Sequence, residues 1–94
     1  MRDNTRQFNT SSEYRFKCWA DQCVAYHLAT GETHLLEALS ACIIEQLLDS
    51  NSISFDDLHQ KIIQSSDVTY SKSLLDTYLR QLRLLGIVYI DERS

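Results

Sequence analysis

The chain has 94 residues and a net charge of −4, because 13 acidic side chains outnumber 9 lysines and arginines. A single domain of this size buries about 60–65% of its unfolded surface, which excludes a deep catalytic cleft between two lobes. We expect neither secretion nor membrane insertion, since the N-terminal stretch is polar and glutamates interrupt the longest apolar segment. Three cysteines without a Cys-x-x-Cys pair indicate reduced thiols and a cytoplasmic protein.

Charge is distributed unevenly along the chain. Six acidic residues lie between positions 37 and 67, where Lys61 is the single basic residue. The last third carries four basic residues against three acidic ones. An acidic middle repels phosphate backbones, so any nucleic-acid binding would depend on the C-terminal helix alone. We therefore do not expect a nucleic-acid partner.

Three short segments alternate aromatic or β-branched residues with polar ones and predict strands at residues 13–18, 22–28 and 32–36. Ala20-Asp21 is expected to turn between the first two strands. Thr30-Gly31 is expected to form a two-residue hairpin turn, with Gly31 at a position of positive φ. The three strands would make an antiparallel meander. Residues 1–12 are expected to form a disordered tail.

The period then changes to about 3.6 residues and predicts three helices. The first ends near Asp49, and the second begins after a capping Ser54. The third runs from about residue 69 or 70 to Leu85 and ends at Gly86 in a left-handed conformation. A short strand over residues 87–90 follows. The predicted fold is a single α+β domain, an antiparallel meander followed by three helices in a winged-helix-like arrangement.

Four stretches resemble the PqqD family of small peptide chaperones, in the branch associated with HPr-kinase-related systems. They are the aromatic Trp19, the Val-x-Tyr-His strand at 24–27, the Gly-Glu-Thr-His-Leu-Leu hairpin at 31–36 and the Leu-x-x-Leu-x-x-Leu-Gly-Ile run at 79–87. The resemblance covers nearly the whole chain after Tyr14. It implies a non-catalytic recognition element that captures a precursor peptide and presents it to a modifying enzyme.

The resemblance also implies where the peptide would bind. A leader segment would add to the third strand, at Thr33, His34, Leu35 and Leu36, beside the third helix. Strand addition needs free backbone donors and a flanking apolar groove, and the chain has no proline to block an edge. At 100° per residue, Lys72 and Arg83 fall on one margin of the helix. We expect them to flank a groove whose floor is formed by Leu75, Leu79 and Leu82.

Other interpretations use the same residues differently. The three leucines are by default ordinary core residues, and the exposed Leu84 is an isolated apolar side chain or a dimer contact. A winged-helix DNA-binding regulator is one alternative, and an accessory subunit that docks a kinase-like partner protein is another. A homodimer formed through the open strand edge would compete with peptide binding.

The two histidines of the hairpin raise the question of a metal site. A two-residue turn would place His27 opposite His34, about 5 Å apart, and would place Cys18 opposite Cys23. Four ligands could not converge, because Cys23 and His27 are about 13 Å apart along a strand, whereas zinc ligands lie about 2.0–2.3 Å from one ion. We expect paired histidines on a sheet face and no metal, with a two-histidine site as the alternative.

No catalytic arrangement is visible in the sequence. The two glycines, Gly31 and Gly86, do not form a phosphate-binding loop, and no Ser/His/Asp or Cys/His set has diagnostic spacing. We therefore expect a protein that is not an enzyme and has no cofactor.

Overall fold

The structure is a computed structural model that describes residues 6–19, 22–50, 52–65 and 70–92. These residues form three helices and two three-stranded antiparallel sheets. The strands are β1 (Arg6–Thr10), β2 (Tyr14–Trp19), β3 (Gln22–His27), β4 (Thr33–Glu37), β5 (Ile53–Ser54) and β6 (Val88–Glu92). The helices are α1 (Leu39–Ser50), α2 (Phe55–Ser65) and α3 (Lys72–Leu84).

The predicted α+β class is confirmed, with a three-stranded antiparallel sheet followed by three helices. That sheet has the order β2-β3-β4 and is called the hairpin sheet below. The second sheet, of order β5-β1-β6, is called the wing sheet. The strand expected over residues 87–90 belongs to the wing sheet as β6. No described helix is long and apolar enough to cross a membrane.

The prediction of a disordered tail over residues 1–12 is wrong for residues 6–10, which form β1 at the centre of the wing sheet. Its single large apolar residue, Phe8, is buried and pairs with Ile53 on one side and Ile90 on the other. Both partners are more than forty positions away in the chain. Local alternation cannot reveal such a strand, because distant segments complete its pairing. Residues 1–5 lie outside the described part of the chain.

The hairpin between β3 and β4 has a four-residue loop, so the predicted two-residue turn is wrong. The His27 N–H donates to the Glu32 carbonyl over 2.8 Å, and Tyr26 pairs with Thr33. The His27 ring nitrogen Nδ1 accepts from the Thr30 N–H at 3.2 Å, which closes the loop around the imidazole. Gly31 does have the positive φ expected of it, at 80°. The expected turn at Ala20-Asp21 lies outside the described residues.

Serine caps mark the starts of α2 and α3, and a glycine marks the end of α3. The Ser54 hydroxyl accepts from the Asp57 N–H at 3.3 Å, as expected, and the Ser71 hydroxyl accepts from the Leu74 N–H at 3.1 Å. The cap at Ser71 starts α3 two or three residues later than predicted. Gly86 ends it with a φ of 79°, and the Ile87 N–H then bonds back to the Leu82 carbonyl, a Schellman arrangement.

The core surrounds α1, which contacts both sheets and both other helices. Five of its twelve residues are buried, namely Leu39, Ala41, Ile43, Ile44 and Leu47. A single side-chain hydrogen bond among the described residues links the hairpin sheet to the end of α3, from the Tyr14 hydroxyl to the Leu85 carbonyl at 2.9 Å. The hairpin sheet is thus held on its inner face.

The junction between β4 and α1 contains a strained residue. Ala38 has a φ of 53°, the only positive φ of a non-glycine residue in the described ranges. The left-handed conformation costs an L-residue roughly 1–2 kcal/mol. The Ala38 carbonyl also accepts from the Cys42 N–H at 3.0 Å, the first bond of α1. Ala38 is the one residue between β4 and α1, and its left-handed conformation turns the chain from the strand into the helix.

We predict that Ala38→Gly raises the free energy of unfolding by about 0.5–1 kcal/mol, because relief of the left-handed strain exceeds the extra entropy of glycine in the unfolded chain. Ala29→Gly, in the exposed hairpin loop and without a positive φ, is the matched control and should give no gain. Urea denaturation of both variants measures the difference. Equal changes in the free energy of unfolding for the two variants would contradict the strain at Ala38.

Candidate functional site

The outer edge of β4 carries backbone groups that no described segment pairs. In an antiparallel pair, hydrogen-bonded and non-hydrogen-bonded residue pairs alternate. The hydrogen bond from His27 to Glu32 fixes this alternation, so that His34 and Leu36 are the residues that exchange hydrogen bonds with β3. The residues between them therefore direct their N–H and C=O groups away from β3. These residues are Thr33, Leu35 and Glu37.

Side chains at this edge leave it accessible. Leu35 is 57% exposed, and Thr33 and Glu37 are exposed as well. The Gln22 side chain donates to the Glu37 carboxylate at 2.8 Å, which holds that carboxylate over the outer face of the sheet. β4 is an edge strand of the hairpin sheet, and among the described residues no other strand pairs with it. The edge thus presents alternating donors and acceptors next to one exposed apolar side chain.

The predicted strand residues divide between two faces. Thr33 and Leu35 lie on the outer face, whereas Leu36 is buried and His34 is half-buried on the inner face. The His34 ring lies 6.3 Å from the Tyr14 ring, between their centroids. All four predicted residues therefore belong to β4, but only Thr33 and Leu35 turn both backbone and side chain towards solvent.

The outer face of the hairpin sheet carries an exposed apolar surface for which the sequence alone predicts no binding role. Trp19, Tyr26 and Leu35 are each about half-exposed there, and Val24 lies directly between Lys17 and Leu35 in the ladder. The sequence does contain an indication of this surface, because large apolar residues also occupy the alternate strand positions that face away from the core. This face continues the open edge of β4.

The predicted groove floor is wrong in this structure, because the three leucines belong to the core. Leu75, Leu79 and Leu82 are 0%, 1% and 2% exposed. Helix α3 contacts α1 and β6, so the centre of its apolar arc is used in folding. These side chains are unavailable to a peptide unless α3 moves.

The predicted basic margin does not come together beside β4. The Lys72 Nζ lies 3.1 Å from the Asp56 carboxylate of α2. The two residues line a cleft of about 630 Å³ between β1, the start of α2 and the start of α3, and no residue of β4 lines it. Arg83 is exposed in the last turn of α3, eleven residues further on, or about 16 Å along the helix axis. That Lys72 and Arg83 flank one peptide groove stays a prediction.

The histidines have structural roles around Tyr14. The His27 ring packs edge-on against Tyr14 at 4.8 Å between centroids, its Nδ1 caps the loop, and its Nε2 lies 3.8 Å from the Glu13 carboxylate. Because of the four-residue loop, His34 lies opposite Ala25 and not opposite His27. The direct opposition on which a two-histidine metal site depended is therefore absent.

The cysteines at the other end of the hairpin sheet form a disulfide. Cys18 lies opposite Cys23, as predicted, but the two are joined, so the expectation of reduced thiols is wrong for this pair. Their Cα atoms are 4.0 Å apart because the pair is a non-hydrogen-bonded one, where antiparallel strands approach most closely. Cys42, on α1, is outside the disulfide.

We predict an alternating pattern of amide exchange along β4. The amides of His34 and Leu36 should exchange slowly, and the amide of Leu35 should exchange at least about tenfold faster, because it has no partner in the sheet. Val24 and Ala25, on the central strand, are the matched control and should both be protected. Hydrogen exchange followed by NMR measures this pattern, and equal protection along β4 would show that another segment covers the edge.

Comparison of this chain with protein-family models, with curated proteins and with solved structures finds no significant match.

Proposed function

We propose that this protein is a non-catalytic peptide-binding module that captures an extended segment by strand addition to β4. The observation that carries the proposal is the row of outward N–H and C=O groups at Thr33, Leu35 and Glu37, at an edge that no described segment covers. An added antiparallel strand would exchange hydrogen bonds with these three residues. Each bond contributes about 0.5–1.5 kcal/mol net, so the backbone supplies a moderate, sequence-independent affinity.

Side chains on the outer face would give the module its sequence preference. In a hydrogen-bonded antiparallel pair, opposed side chains lie on the same face. A peptide residue opposite Leu35 would thus meet an apolar side chain with Val24 behind it. The residue two positions away would meet the Glu37 carboxylate. The preferred peptide has an apolar residue and a basic residue at positions i and i+2.

Presentation of the bound peptide to a modifying enzyme or a kinase-like partner is a second part of the proposal, and it depends on the resemblance to the PqqD family. Two features support a surface for such a partner. Trp19 and Tyr26 are half-exposed on the outer face of the hairpin sheet, and Leu84 is 88% exposed on α3. A strand at the β4 edge would leave Leu84 uncovered, because that residue lies on the far side of α3 from the core.

The DNA-binding alternative is less well supported by the charges of α3. Lys72 pairs with Asp56 at 3.1 Å, and Arg80 pairs with Asp76 at 3.2 Å. These exposed pairs contribute little to stability, but they neutralise two of the three cations of the helix. A recognition helix needs cations that reach phosphates, and the net charge of −4 opposes that approach.

A displayed library of random linear peptides tests the proposal, because selection on the protein itself identifies ligands that bind the edge. Peptides selected on the wild-type protein should carry the apolar and basic pair. They should bind Leu35→Ala with a loss of about tenfold or less. Leu35→Pro should abolish binding, because it removes the outward N–H while the bonds to β3 come from the neighbouring residues.

NMR with one selected peptide locates the binding surface. The largest amide shifts are expected at Thr33, Leu35 and Glu37, and a retained circular dichroism spectrum verifies that Leu35→Pro is folded. Equal binding by Leu35→Pro and wild type, or shifts confined to the cleft at Lys72, would overturn strand addition. Sedimentation of the free protein identifies the competing outcome, a homodimer that uses the same edge.

A further inference from the structure

Three groups that can ligate a metal meet between the hairpin sheet and α1. The Cys18 and Cys23 sulfurs and a Glu45 carboxylate oxygen all lie within 4.8 Å of one another. The cysteines come from adjacent strands, and Glu45 comes from the middle of α1. The Cys23 sulfur also lies 3.7 Å from the Ala41 carbonyl oxygen, one turn before Glu45 on the same helix. The packing of α1 on the sheet thus creates the group.

Glu45 lies beside the two sulfurs and is partly buried there. The structure gives its side chain no hydrogen bond or ion pair with any described residue. Other acidic side chains of the described chain, such as Asp56 and Asp76, are more exposed and are paired with cations. Glu45 is therefore a carboxylate next to the two sulfurs that no described residue engages.

We propose that reduction of the Cys18–Cys23 disulfide creates a site for a thiophilic divalent cation of the zinc class, held by the two thiolates and the Glu45 carboxylate. A dithiol reductant would supply two electrons and two protons, break the sulfur–sulfur bond and leave as its own disulfide. The cation would then displace the two thiol protons into solvent as two metal–sulfur bonds form. Water would fill the fourth position, as in other zinc sites with three protein ligands.

The geometry of the strand pair suits this ligand set. Two Zn–S bonds of about 2.3 Å at a tetrahedral angle place the sulfurs about 3.8 Å apart. Opposed thiols of a non-hydrogen-bonded pair, with Cα atoms 4.0 Å apart, reach that separation by small rotations of their side chains. Glu45 supplies the third ligand, which the histidines are too distant along the strands to provide. The disulfide and the metal exclude each other, so the cellular thiol balance would control occupancy.

Cobalt titration of the full chain tests the site. The protein is reduced with a phosphine, freed of reductant under nitrogen and titrated with Co²⁺, followed by displacement with Zn²⁺. Reduced wild type should bind one ion with a thiolate-to-cobalt charge-transfer band, and the oxidised protein should show none. Cys18→Ser should lose the band, and Glu45→Gln should weaken binding by about tenfold or more, since even outer-shell partners are worth 10–100-fold.

Cys42→Ser is the matched control, since Cys42 is a thiol of the same helix that lies outside the group, and it should bind as wild type does. Circular dichroism verifies that the reduced protein and each variant are folded. The proposal is overturned by a reduced protein that shows no charge-transfer band, whether folded or not. It is also overturned by Glu45→Gln with unchanged affinity, or by a loss of binding in Cys42→Ser alone.

Discussion

The alternation of hydrogen bonds along β3 determines the positions of both candidate sites, the open edge of β4 and the cysteine pair. The Leu28 N–H bonds to the Glu13 carbonyl next to β2, and the His27 N–H bonds to the Glu32 carbonyl next to β4. Successive residues of this central segment thus form their hydrogen bonds with the β2 side and the β4 side in turn. One result is that Cys18 and Cys23 form a close, non-hydrogen-bonded pair. The other is that the unpaired groups of β4 fall at alternate positions along its outer edge.

The two candidate sites lie at different places on one sheet because each uses a different face of it. The strand edge of β4 faces solvent and needs only backbone groups and outer side chains. The cysteine pair lies where α1 brings Glu45 to the sulfurs. The disulfide joins β2 to β3 within the hairpin sheet, and a metal in its place would also bind α1 through Glu45. The start of α1 follows β4 after Ala38 alone, so the two sites share a short connection.

The charges of the molecule are consistent with a peptide ligand more than with a nucleic acid. Ion pairs at Asp56 and Asp76 occupy two cations on the exposed side of α3. At the β4 edge the exposed charges are acidic, from Glu32 and Glu37. Phosphate would be repelled from this edge, whereas a basic residue of an extended peptide would be attracted to it. Part of the acidic charge evident in the sequence thus lies at the β4 edge.

Elements that depend on local periodicity and local hydrogen bonds could be predicted from the amino-acid sequence. The hairpin strands, the three helices, the Ser54 cap and the Gly86 stop all follow from residues within a few positions of each other. Other features depend on contacts between segments far apart in the chain, and only the folded structure reveals them. Distant partners make β1 a strand, and α1 brings Glu45 to the cysteines. The bond from the Thr30 N–H to the His27 ring is local, but it depends on the orientation of the ring, which a sequence pattern does not specify. An apolar arc on a helix predicts that the arc is covered, but it does not identify the segment that covers it. Leu75, Leu79 and Leu82 are therefore compatible with a peptide groove in the sequence. In the structure they are buried, and α3 contacts α1 and β6.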